Sequence, residues 1–184
     1  MKSVKAADAY KILNSYLKEE FKLLSYKKFK HSKLGWHKLL NAKYLVFSFQ
    51  CNHRGWDYYI GSDVLIYIEL YENVSESSIM PLEQARLREL LETQDLQELV
   101  HVQNYVINKF HPYDWDVKKA FPSASQEFLE CLEKQFEPVV YPPSHYNVEH
   151  IRYYDEDDLH KWGEYLCNNL RNISTRIENK WRNV

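Results

Sequence analysis

The chain reads as an α+β protein, with an antiparallel sheet of about three to four strands over residues 34–71 packed by an N-terminal helix and several C-terminal helices. Three observations predict this. Residues 44–71 alternate apolar and polar positions, with turn residues between the runs, as neighbouring antiparallel strands do. Residues 4–24 and 155–182 repeat their apolar positions every three to four residues, as helices do. The strands precede most of the helices and do not alternate with them, which excludes a βαβ fold. A length of 184 residues suits one domain with a sizeable core, and no repeat or low-complexity linker divides it.

In the first helix Ala6, Tyr10, Leu13, Leu17, Phe21 and Leu24 share one face, with lysines on the other. A basic run, Lys27-Lys28-Phe29-Lys30-His31, leads to a first strand near residues 34–40. In the next strand Leu45, Phe47, Phe49 and Cys51 lie on one face and Tyr44, Val46, Ser48 and Gln50 on the other. Asn52-His53-Arg54-Gly55 turns the chain, Trp56, Tyr58 and Ile60 resume it, and Gly61-Ser62-Asp63 breaks it again. Val64, Ile66, Ile68 and Leu70 then line one face of an apolar strand.

From residue 72 the pattern predicts helices. Pro81 suits a first helical turn, with Leu82, Ala85 and Leu90 starting a stripe. Thr93 or Asp95 caps a further helix carrying Leu96, Leu99, Val102, Val106 and Phe110, which Pro112 ends. Ser123 and Gln126 have capping-box spacing, and residues 137–148 read as loop or edge strand. The last helix is the clearest: acids at 155–158, then Leu159, Trp162, Leu166, Leu170, Ile173, Ile177 and Trp181, then bases at its end, which suits the helix dipole.

Charge is segregated. Residues 1–43 carry eleven lysines against three acids, while the whole chain has a net charge of −2, so the rest is strongly acidic. With only four glycines there is no Gly-rich phosphate loop; the fifteen tyrosines suit half-buried strands and recognition surfaces alike. No stretch approaches the length of a membrane span, and the N-terminus lacks the apolar core of a signal peptide. Cys51, Cys131 and Cys167 form no CxxC pair, and the simplest expectation is reduced thiols in a cytoplasmic protein.

Phe47-Ser48-Phe49-Gln50, running through Asn52-His53-Arg54-Gly55-Trp56 to Gly61-Ser62-Asp63-Val64-Leu65-Ile66-Tyr67, resembles a bacterial domain family of unknown function. That family has a leading helix, a Lys-rich link, a strand ending in aromatic-x-Gln, a variable turn and an apolar strand. The resemblance covers about residues 4–72. It implies an immunity-type or other partner-binding protein.

Candidate chemistry is sparse. Gln50, His53, Arg54, Trp56 and Asp57 cluster at a strand end and turn, where they suit binding; a solvated hairpin tip is the plain alternative. Asp57, Asp63 and Glu69 invite a metal-dependent phosphoesterase or nuclease reading, but the lysine expected two residues after the last acid is absent. His145, His150 and His160 near the acids at 155–158 lack ligand spacing for a metal. His111 to Asp116 forms a compact polar and aromatic turn. Lys22, Lys27, Lys28, Lys30, Lys33 and Lys38, interleaved with Phe21, Tyr26, Phe29 and Trp36, have the composition of a single-strand nucleic-acid surface.

The leading expectation is a non-enzymatic binding protein with a protein partner and no cofactor, metal or membrane segment; nucleic acid is the alternative partner. Its contact residues are Gln50, His53, Arg54 and Trp56 at the turn, and Asp155, Glu156, Asp157 and Asp158 in an acidic patch. Oligomeric state is left open.

Overall fold

Alternating β-branched and aromatic residues form the sheet, and two apolar helical stripes cover it. A computed structural model describes residues 3–53, 55, 61–75, 80–109, 122–134, 137–144 and 148–182. The elements are α1 (Ala6–Leu23), β1 (Lys27–Lys28), β2 (Leu34–Leu40), β3 (Lys43–Cys51), β4 (Ser62–Tyr71), β5 (Glu83–Ala85), α2 (Thr93–Lys109), α3 (Gln126–Lys134), β6 (His150–Tyr153) and α4 (Glu156–Trp181). A 3₁₀ turn at Leu87–Leu90 sits between β5 and α2. The fold is α+β with an antiparallel sheet, as expected.

The strand count is a correction: among the described residues the sheet has six strands, in the order β1-β2-β3-β4-β5, with β6 also paired to β4. The central strands form an antiparallel meander as expected, with Phe47 opposite Trp36 on one side and Ile68 on the other. The three further strands have no alternation to announce them. β1 is two exposed lysines, β5 is Glu-Gln-Ala, and three of the four β6 residues are buried. The helix expected from Pro81 is β5 and the 3₁₀ turn instead. Leu82, placed in the helical stripe, is 46% exposed, and its N–H donates to Leu70 O. α3 begins at Gln126 with Ser125, not Ser123, accepting from the Phe128 N–H.

The inner face of the sheet, with Leu45, Phe47, Phe49, Val64, Ile68 and Leu70 buried, joins Leu13, Leu17 and Phe21 of α1 and Trp162, Leu166 and Ile173 of α4 in one apolar cluster. Burying a side chain of this size stabilises by about 1.5–3 kcal/mol. α1 and α4 touch closely at Gly163. A Cβ there would lie 2.3 Å from the Tyr16 ring, whose hydroxyl bonds His160 Nδ1 at 2.9 Å. Glycine in a helix interior loses about 1 kcal/mol of propensity, so packing decides this position.

β6 is held from three sides. Ser62 and Asp63 of β4 pair with Tyr153 and Arg152; Trp162 Nε1 donates to Arg152 O at 2.8 Å; Gln103 Nε2 donates to His150 O at 3.0 Å. Gly61, just before β4, has φ +67°, and a Cβ there would lie 2.4 Å from Tyr153 O, so only glycine fits. Among the described residues no helix is long and apolar enough to cross a membrane.

Candidate functional site

The pleat that buries Phe47 and Phe49 against the helices turns Ser48 and Gln50 to the opposite, outer face. Glu69 and Tyr71 of β4 lie on that face, because Val46 pairs with Glu69 and Tyr44 with Tyr71. The chain between β1 and β2 folds across it. The Phe29 ring lies 6.2 Å from His37 of β2 and 6.4 Å from Tyr71 of β4, so it sits over β3 between them. This placement accounts for Val46 being buried on the outer side. The Phe29 N–H donates to Gly35 O at 2.9 Å and Ser32 Oγ to Leu34 O at 3.0 Å, which fixes the crossing segment.

Beneath this segment lies a groove of about 490 Å³, walled by Tyr10 of α1, His31, Gln50, His53, Glu69 and Asn73. It shares Phe29 and His31 with a second space of about 460 Å³ toward His37 and Tyr44. It shares Gln50 and His53 with a third of about 220 Å³ toward Asp63 and His150. The three are neighbouring spaces on the outer face, the Phe29 ring over buried Val46 standing between the first and the second.

Its chemistry is mostly neutral hydrogen bonding. Tyr71 Oη donates to Glu69 Oε2 at 2.9 Å; burial first, and then this carboxylate, push the phenol up, so it stays a neutral donor. Burial, helped by Lys27, lowers His37 and favours its neutral imidazole. Cys51 is buried, its N–H donates to Tyr10 Oη at 2.9 Å, and burial pushes its thiol up. A buried, protonated thiol is a poor nucleophile. At the far end Asp63 Oδ2 lies 2.8 Å from His150 Nδ1. Burial pushes the Asp63 carboxyl up, but His150, Asn52 and Arg152 together outweigh burial and hold it below the ordinary range.

The rim is basic. Lys28 Nζ stands 4.7 Å over the Trp36 ring, and burial lowers its pKa. Several lysines away from the rim are paired: Lys22 with Glu19, Lys38 with Glu178, Lys161 with Glu164, Lys180 with Glu89. Lys27, Lys30 and Lys33 form no ion pair among the described residues.

Of the expected contact residues, Gln50 and His53 are exposed in the groove wall, while Arg54 and Trp56 lie outside the described residues. The acidic patch is corrected. Asp155 caps α4, accepting from the Asp158 N–H at 3.0 Å, and Asp158 Oδ2 accepts from the Tyr154 and Asp155 N–H groups. Lys109 Nζ bonds both carboxylates, at 3.1 Å and 2.9 Å. Asp158 is fully buried, and burial pushes its carboxyl up against the pull of Lys109. Only Glu156 and Asp157 remain exposed as a surface.

The other clusters separate. Asp57, His145 and residues 111–116 lie outside the described residues. Asp63 and Glu69 stand six residues apart on one strand, about 20 Å. Among the described residues no group of His, Cys, Asp and Glu is arranged to hold a metal. His160 bonds Tyr16 and His150 bonds Asp63, on different elements. Phe21, Tyr26 and Trp36 are core residues and cannot stack on bases. Sequence reasoning missed Tyr10, His31, Tyr71 and Asn73 as walls of one groove, because the crossing of the 29–33 segment leaves no periodic signal. No family model, curated protein or solved structure matches this chain.

Proposed function

We propose that the protein is a non-enzymatic binding protein that holds a protein partner in the groove on the outer face of its sheet. The observation that carries this is convergence: α1, the 29–33 segment, β3 and β4 bring Tyr10, His31, Gln50 and Glu69 onto one groove of about 490 Å³. A concave surface with a few placed polar groups is the usual form of a recognition site. The resemblance of residues 4–72 to a bacterial domain family of unknown function, which implies an immunity-type or other partner-binding role in the cytoplasm, supports the same reading. Against an enzyme stand the quiet Cys51 thiol and the wide separation of Asp63 from Glu69.

A photo-crosslinking residue at Gln50 tests the proposal in the source cell, with the same residue at exposed Lys22 on α1 as control. An adduct of one defined mass from position 50 and none from position 22 is expected. Equal labelling from both positions, or none from either, overturns the reading.

A further inference from the structure

We propose that the occupant of the groove is an extended, acidic segment of the partner, with carboxylates facing the rim lysines and an apolar or aromatic side chain against the Phe29 cluster. This rests on the groove being the binding site.

The first ground is charge balance. Lys30 and Lys33 stand without ion pairs among the described residues, on the segment that makes the rim, while lysines on three other elements have carboxylate partners. The one acid on the groove floor, Glu69, already accepts from the Tyr71 hydroxyl. Glu69 keeps its charge in that bond, but Lys30 and Lys33 outnumber it, so the groove and its rim carry a net positive charge.

The second ground is shape. On the Gln50 side of the Phe29 crossing the groove holds about 490 Å³ and runs past Ser48 and Gln50 of β3, room for a short extended segment. Gln50, Asn73 and Ser48 line it with groups that can bond a peptide backbone.

The third ground separates peptide from single-stranded nucleic acid. Nucleic-acid grooves present open aromatic faces. Here Phe21, Tyr26 and Trp36 are buried, and the Phe29 ring is flanked by His31 at 5.5 Å, His37 at 6.2 Å and Tyr71 at 6.4 Å. Such a ring cluster suits a side chain laid on its edge better than a stacked base.

The test is fluorescence anisotropy with three labelled probes of about the same length. The first is a Glu-rich peptide carrying two tyrosines, the second the same peptide with Gln for Glu, and the third an oligothymidylate. The Glu peptide should bind about tenfold tighter than the other two at about 20 mM salt, and weaken about tenfold at about 300 mM, where screening is short-ranged. Lys30→Glu with Lys33→Glu should cost about tenfold in affinity, at unchanged thermal stability, since both side chains are exposed. Equal binding of the Gln peptide, or indifference to the lysine reversal, overturns the proposal. Tighter binding of the oligothymidylate that the reversal abolishes replaces the acidic peptide with nucleic acid. No binding of any probe, together with a position-50 adduct, removes the acidic class and leaves the groove standing; without that adduct, both fall.

Discussion

Asp158 and Lys109 show how far a residue's role can lie from its sequence setting. Four acids in a row at a helix start look like a surface, yet Asp158 points inward, fully buried, with Lys109 2.9 Å away. Removing one partner of a buried pair leaves an uncompensated charge. Lys109→Met is expected to destabilise by about 3 kcal/mol in urea unfolding, and adding Asp158→Asn should restore part of that. Additive losses in the double variant would contradict the pairing. Asp63 supplies a pH dependence. Its folded pKa is depressed, so its stabilisation is complete above the ordinary aspartate value of about 3.9 and is lost as pH falls through the lower folded value. Asp63→Asn should be less stable near neutrality by about 1–2 kcal/mol and should flatten the acid limb of the stability profile. Core positions such as Leu13 and Phe47 were legible from periodicity. The burial of Tyr26 and Trp36 was not, because a lysine-rich neighbourhood masks an inward-facing ring.

At the scale of elements, α4 is the most legible because three kinds of signal agree in it: an acidic cap, a continuous apolar stripe and a basic end. Leu166 lies in the middle of that stripe and is 4% exposed. Leu166→Asp buries an unpaired charge, and the variant should be insoluble or unfolded by circular dichroism. The α1–α4 contact makes a subtler prediction. Gly163→Ala gains about 1 kcal/mol of helix propensity but must displace the Tyr16 ring, and overpacking costs about 1–3 kcal/mol. We expect a net loss near 1 kcal/mol, turned to a gain when Tyr16→Ala is added, both read by thermal melting. The strands β2, β3 and β4 were legible because one face of each is apolar and buried and most of the other is not. β5 and β6 were not, since strands of three and four residues are created by pairing with β4 and have no pattern of their own.

The whole molecule converts a charge split along the sequence into a charge distribution in space. Part of the N-terminal surplus is answered from the other end of the chain: Lys38 meets Glu178 at 2.9 Å, and Glu178 also accepts from Tyr26 and Ser174. The segregation was legible in composition, but which lysines would remain unpaired was not, because such pairings span most of the chain. The packing of α4 on α1 has a consequence for synthesis. At about 5–20 residues per second, a ribosome makes α4 on the order of ten seconds after α1. Through that interval Leu13, Leu17 and Phe21 lack the helix that covers them in the finished protein. The residues that line the groove all lie before position 75, so they are synthesised well before the helix that completes the core. A nascent chain in that interval is a natural client for a holdase chaperone, and a message truncated before α4 should yield a product that is degraded instead of accumulating.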